Sequence, residues 1–160
     1  MLRKAFPVVM AVLAAVVTTA FGQESAPKLL PPLPVGVTSL AFDEFFVLPV
    51  GPRGLTLTEK LKSLDGKRVR ILGYMVRQDE PLPNTLLLTE KPVTIEEHEG
   101  GFSDLPTAYV RVVVPSAKDK PVSYTPRPLL LTGVLSVGPH AEKDDTISLV
   151  RLTLENESKN

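Results

Sequence analysis

The chain has 160 residues and sets 18 Lys and Arg against 18 Asp and Glu, a formal charge of +0. That balance excludes the broad positive field expected of a nucleic-acid or anionic-membrane binder. The lack of cysteine excludes disulfides, thiolate zinc sites and thiol nucleophiles, so an apolar core must hold the fold.

Residues 1–22 read as a secretory signal. Arg3 and Lys4 give a short positive start, and Ala5 to Val17 is apolar apart from Pro7. Ala20 and Gly22 fit the small-x-small cleavage pattern, which places the mature start at Gln23. The apolar run falls short of the roughly 20 residues that span a bilayer, so no stable membrane span is expected after cleavage. No cysteine follows to carry a lipid, and the mature product is expected to be periplasmic or secreted. Residues 23–39, with Pro27, Pro31, Pro32 and Pro34, read as an extended proline-rich leader. A single domain is expected over 40–155, followed by a disordered tail at 156–160.

The run from Leu40 to Leu48 holds Phe42, Phe45 and Phe46 in a chain with few aromatics. It is read as a short strand or one helical turn that lays Phe rings on the core; a docking patch is the functional alternative. Pro49 to Gly54 is a loop on composition. Thr56 and Glu59 match a capping box, and Leu57, Leu61 and Leu64 then fall on one face of a short helix ended by Asp65-Gly66.

Strands are predicted at Arg68–Arg77, Thr85–Thr89 with a continuation towards Ile95, Thr107–Val114, Leu129–Val137 and Thr146–Leu154. In the first, Val69 and Ile71 oppose Arg68 and Arg70, and Gly73 permits a bend or a close approach. In the third, Val110 and Val112 oppose Tyr109 and Arg111. In the last, Ile147 and Leu149 share one face and Val150, Leu152 and Leu154 the other, a phase break that reads as a β-bulge. Gly133 marks a second expected bend. Together these predict a mainly β fold: a small five-stranded OB-like β-barrel with one short N-terminal helix, with a β-sandwich as the rival. The helix usual between the third and fourth strands of that barrel does not fit Pro115, Pro121, Pro126 and Pro128, so a proline-rich loop is expected there.

Phe42-Asp-Glu-Phe45, Leu64-Asp-Gly-Lys-x-Val69-Arg70 and Gly73-Tyr74-Met75-Val76 follow one another in that order. This series resembles a family of small exported bacterial proteins classed as a domain of unknown function, over about residues 40–115. The resemblance implies export and an OB-like barrel. Two departures limit it: Val76 is followed by Arg77 where the family has Pro, and the family's Cys-x-His element is missing. No active site carries over.

Candidate chemistry is sparse. Glu96, Glu97, His98 and Glu99 form the densest group of metal-ligand types, with His98, Glu96 and Glu99 the candidate ligands. A solvated acidic loop explains them as well, because zinc sites gather ligands from separated pairs. His140, Asp144 and Asp145 fit a polar hairpin loop. No nucleophile elbow, Ser-x-x-Lys or His-Glu-x-x-His pattern occurs, and no cofactor motif, so no catalytic or cofactor-binding residue is assigned. Arg68, Arg70, Tyr74, Arg77, Tyr109 and Arg111 invite a basic groove with aromatic platforms; a solvated outer face is the plainer reading. Export makes nucleic acid an unsuitable partner and leaves an envelope protein or an anionic glycan. The sequence thus points to an exported, non-enzymatic binding or adaptor module of the cell envelope, with a metal-dependent module or enzyme on Glu96–Glu99 as the alternative.

Overall fold

Alternating apolar positions dictate strands here, and closing the apolar face of each strand against the others dictates their arrangement. The computed structural model describes residues 30–52, 54–95, 105–144 and 146–155. The expected signal and residues 23–29 of the expected leader lie outside them; the unit Pro32–Asn160 carries every element below.

The strands are β1 (Thr38–Ser39), β2 (Arg68–Met75), β3 (Arg77–Gln78), β4 (Thr85–Thr89), β5 (Thr94–Ile95), β6 (Tyr109–Val113), β7 (Pro128–Ala141) and β8 (Ile147–Leu154). One α-helix, α1 (Glu59–Ser63), precedes β2. The main sheet runs β1-β2-β4-β6-β8-β7, and β7 pairs back onto β2 from Arg68↔Val134 to Tyr74↔Pro128. The fold is therefore mainly β, with β2, β4, β6, β8 and β7 closed in a ring rather than split between two facing sheets. Within it β6 and β8 are parallel and the other ring pairs antiparallel. β3 and β5 form a separate parallel pair.

Inside the ring lie Val69, Ile71, Met75, Leu86, Leu88, Val110, Val112, Leu135, Val150 and Leu152, all buried. One mouth is plugged by Phe42, Phe45 and Phe46; Phe42–Glu44 is a single 3-10 turn capped by Phe45, and Phe46 bridges to Leu57. Phe42 and Phe45 stack at 5.2 Å between ring centroids. Gly73 is the position that lets Phe42 in. A Cβ there would sit 2.8 Å from Leu88 Cγ and from the Thr89 carbonyl, and 3.0 Å from Phe42 Cε2. The segment Leu64–Val76 thus owes its glycine to a close approach.

Three expectations need correction. Thr58, not Thr56, caps α1: its Oγ1 accepts from the Leu61 amide at 3.1 Å. Leu57 is held in extended backbone by its bridge to Phe46, so the helix cannot start before it. The bulge lies in β7, not in β8. Val137 pairs with Val150 but His140 with Ser148, which inserts an extra residue around Gly138, whose φ of 135° suits glycine. β8 keeps its phase, with Ser148, Val150 and Leu152 buried and Ile147 exposed. Gly133 shows no register shift; it admits the Thr153 backbone, which a side chain would overlap. The proline-rich loop stands where expected. It holds one 3-10 turn, Pro115–Ala117, and is tied to Asn84 by paired hydrogen bonds with Asp119 at 2.6 and 2.7 Å.

Candidate functional site

Two features stand out on the described surface: an apolar groove at the plugged mouth of the ring, and an arginine network on the outer face of β6 and β8.

The groove forms because the chain between Phe46 and Leu57 doubles back. The Val47 amide donates to Thr56 O at 2.8 Å and the Gly54 amide to Gly51 O at 3.0 Å, which closes the loop on itself. The larger compartment, about 480 Å³, is lined by Phe42, Asp43, Phe46, Leu48, Val50, Leu55, Glu90, Lys91 and Pro106 to Ala108. A smaller one, about 280 Å³, runs from Phe46 and Leu105 past Tyr109 to Thr146, Ile147, Leu149 and Val150. Both share Phe46, Pro106 and Thr107, so they adjoin. The rim is apolar and wet: Leu48 is 72% exposed, Ile147 63% and Val50 52%. Aliphatic side chains clustered in water in this way mark an interaction site more often than a scaffold surface.

The network begins with strand alternation. Val110 and Val112 face the ring interior, so Arg111 faces outward, between Leu87 of β4 and Arg151 of β8 in register. Instead of lying in solvent, Arg111 is 2% exposed. Residues between β7 and β8 fold over it. Its Nη2 donates to Asp144 Oδ2 at 2.9 Å and to Thr146 Oγ1 at 3.1 Å. Glu142 lies 3.5 Å from its Nε and accepts from Arg151 Nη2 at 2.7 Å and from the Ser148 hydroxyl. Burial pushes both carboxyls up, but hydrogen bonds and guanidinium charge outweigh it, from Arg151 and Arg111 at Glu142 and from Arg111 alone at Asp144. Glu142 and Asp144 are both held below the ordinary values of 4.5 and 3.8. Tyr109, next to this group, is pushed up by its own burial despite the charge of Arg111, and donates to Ile147 O at 3.2 Å.

Apart from Tyr109, the other candidate residues are not gathered with Arg111. Arg68 is held by Glu155 through Nε and Nη2 at 2.6 and 2.7 Å, and Arg70 Nη1 donates to Pro32 O at 3.0 Å. Tyr74 and Tyr109 flank Thr89 across β2, β4 and β6, and Thr89 is buried. Arg77 is exposed on the short β3. Glu96, His98 and Glu99 lie outside the described residues, and among the described ones no cluster of three metal-ligand types occurs. Sequence reasoning passed over Ser136, whose Oγ lies 3.0 Å from His140 Nε2 across the β7 bulge. The contact spans the register shift between Val137 and His140. The signal that could have revealed it was Gly138-Pro139, a pair that breaks a strand.

No family model and no curated protein matches the chain. Among solved structures it is similar to the crystal structure of a DUF3299 family protein from Pseudomonas aeruginosa PAO1. The two are 16% identical with a TM-score of 0.47, over 74% of this chain and 92% of that one. That likeness brings no activity, ligand or partner to this chain.

Proposed function

We propose that this chain is an exported, non-enzymatic binding module of the cell envelope, an OB-like barrel that holds an apolar segment of a protein partner in the groove at its plugged mouth. The observation that carries this reading is the contrast between the groove and the cations. Leu48, Val50, Leu55 and Ile147 line open apolar space. Arg68, Arg70 and Arg111, three of the four arginines suited to an anionic glycan, are engaged within the chain, and Arg77 is exposed on β3. The strand order supports the barrel, with the third and fifth ring strands parallel and the first and fourth antiparallel. Asp43 and Glu90 outnumber Lys91 at the wider end, so the partner segment carries a basic residue on that side.

The test uses labelled peptides of six aliphatic residues with Lys or Glu at one end, titrated onto the mature chain. The Lys-ended peptide should bind more tightly, and Leu48→Asp and Ile147→Asp should each abolish binding while leaving the urea midpoint in place. Binding that ignores both substitutions overturns the groove. Fractionation with N-terminal sequencing tests export: a chain beginning at Gln23 outside the cytoplasm is expected, and an uncleaved cytoplasmic chain overturns it.

A further inference from the structure

The Arg111 network contains more donors than it uses. Arg111 and Arg151 are lateral neighbours on parallel strands, so their guanidiniums share one outer face. Two carboxylates from one short stretch, Glu142 and Asp144, neutralise them. Yet among the described residues the buried Nε of each arginine has no hydrogen-bond acceptor, and Glu142 stands 3.5 Å from that of Arg111, beyond good hydrogen-bond range. Charge is satisfied while geometry is not. A group selected only to hold the hairpin would be expected to satisfy its buried donors, since each unmet one is destabilising.

We propose that the Arg111–Arg151 face is a second binding site, for an acidic peptide segment of a partner, and that Glu142 and Asp144 occupy it as an internal substitute. The internal occupant defines the ligand class. It is a turn segment bearing carboxylates at i and i+2, and it meets two guanidiniums with a tyrosine, Tyr109, alongside. A partner segment of the pattern Glu-x-Asp, less constrained by a turn, reaches the same guanidiniums and supplies acceptors to both Nε groups. The site is distinct from the apolar groove and does not depend on it, and the two meet at Tyr109 and Thr146. An acidic segment displaces the internal carboxylates by competition, so its apparent affinity is lowered by the fraction of molecules in which they stay in place.

The probe is a fluorescein-labelled peptide copying residues 141–148, Ala-Glu-Lys-Asp-Asp-Thr-Ile-Ser, with an amide version (Gln and Asn for the acids) as control. Neutralising the internal competitor should create binding. Glu142→Gln/Asp144→Asn is expected to bind the acidic peptide about tenfold more tightly than the native chain, the value of one charge-assisted hydrogen bond, and to ignore the control. Adding Arg151→Gln should abolish the gain. A folded double variant with no gain overturns the proposal. A gain for heparin equal to that for the peptide also overturns it, by assigning the face to anionic polysaccharide. Should the double variant fail to fold, hydrogen exchange on the native chain decides. Amides 142–148 should lose protection when the peptide is in excess, and unchanged protection counts against the site. Leu48→Asp should leave every one of these results unaltered, which separates this site from the groove.

Discussion

Arg111 and Arg68 make the same chemical pairing in opposite surroundings. Both project outward from ring strands, and both meet carboxylates at hydrogen-bond distance. Arg111 is sealed beneath the residues between β7 and β8, whereas the Arg68 side chain keeps 43% exposure beside a Glu155 at 40%. Away from water the removal of one partner strands a charge that nothing else can solvate; in water the solvent takes over. The same motif on the page therefore means an essential contact in one place and an incidental one in the other.

The largest expected effect breaks the buried half. Arg111→Ala leaves Asp144 without its counter-charge and Glu142 with Arg151 alone, and opens a void beside Leu87. Unfolding in urea should show a loss of about 3–5 kcal/mol, the usual cost of removing one member of a buried pair. A loss below about 1 kcal/mol would mean that the face opens to water more readily than its burial indicates. Glu142→Gln comes next. It keeps an acceptor for Ser148 and Arg151 but removes the charge, and about 1–3 kcal/mol should be lost.

How far the sequence revealed this comparison is itself instructive. Alternation around Val110 and Val112 sufficed to turn Arg111 away from the ring interior, and the same rule turned out Arg68. Nothing local could distinguish them, because the difference is made by residues far along the chain. Asp144 had looked like part of a polar hairpin loop, and nothing in the sequence singled out Glu142. Ser148 added to the concealment: a polar residue in the inward phase of β8, buried because Glu142 accepts from it, made an unbroken strand read as bulged. Thr56 failed for a related reason. Its capping-box spacing is better than that of Thr58, but the Phe46–Leu57 bridge fixes the backbone between them. Strand positions, the ring's apolar face and the Phe42 turn were legible because they depend on neighbours in sequence. The groove was half legible, since the apolar run at Phe42–Leu48 was visible but its opposite wall, Leu105 to Thr107 and Ile147, was not.

Acid sharpens the contrast further. Glu142 and Asp144 titrate below their ordinary 4.5 and 3.8 in the folded chain, so the unfolded chain binds more protons as pH falls. Their contribution to stability is complete above about pH 5 and is lost as pH drops through the lowered values. Melting temperature measured from pH 7 down to pH 3 should therefore fall in that lower window. Glu142→Gln should start lower and fall less. A native-like slope in that variant would place the acid-sensitive group elsewhere, with Glu44 the next candidate, since its hydrogen bond from Lys60 also lowers its pKa.

The smallest effect belongs to the exposed half. Glu155 holds Arg68 in its charged form and is itself lowered by the Arg68 hydrogen bonds, yet both groups sit in water, which compensates either loss. Arg68→Ala should leave the urea midpoint of the native chain unchanged within the scatter of repeat measurements. Raising the salt concentration should be equally without effect on the difference between the two chains, because the pair it screens contributes almost nothing. Arg68 does have a second tie, a long contact from Nη1 to the Val35 carbonyl at 3.5 Å, too stretched to hold that segment. If Arg68→Ala nonetheless lowered the midpoint as much as Glu142→Gln does, burial would not be what separates the two arginines, and the network at Arg111 would lose its claim to be more than an ion pair.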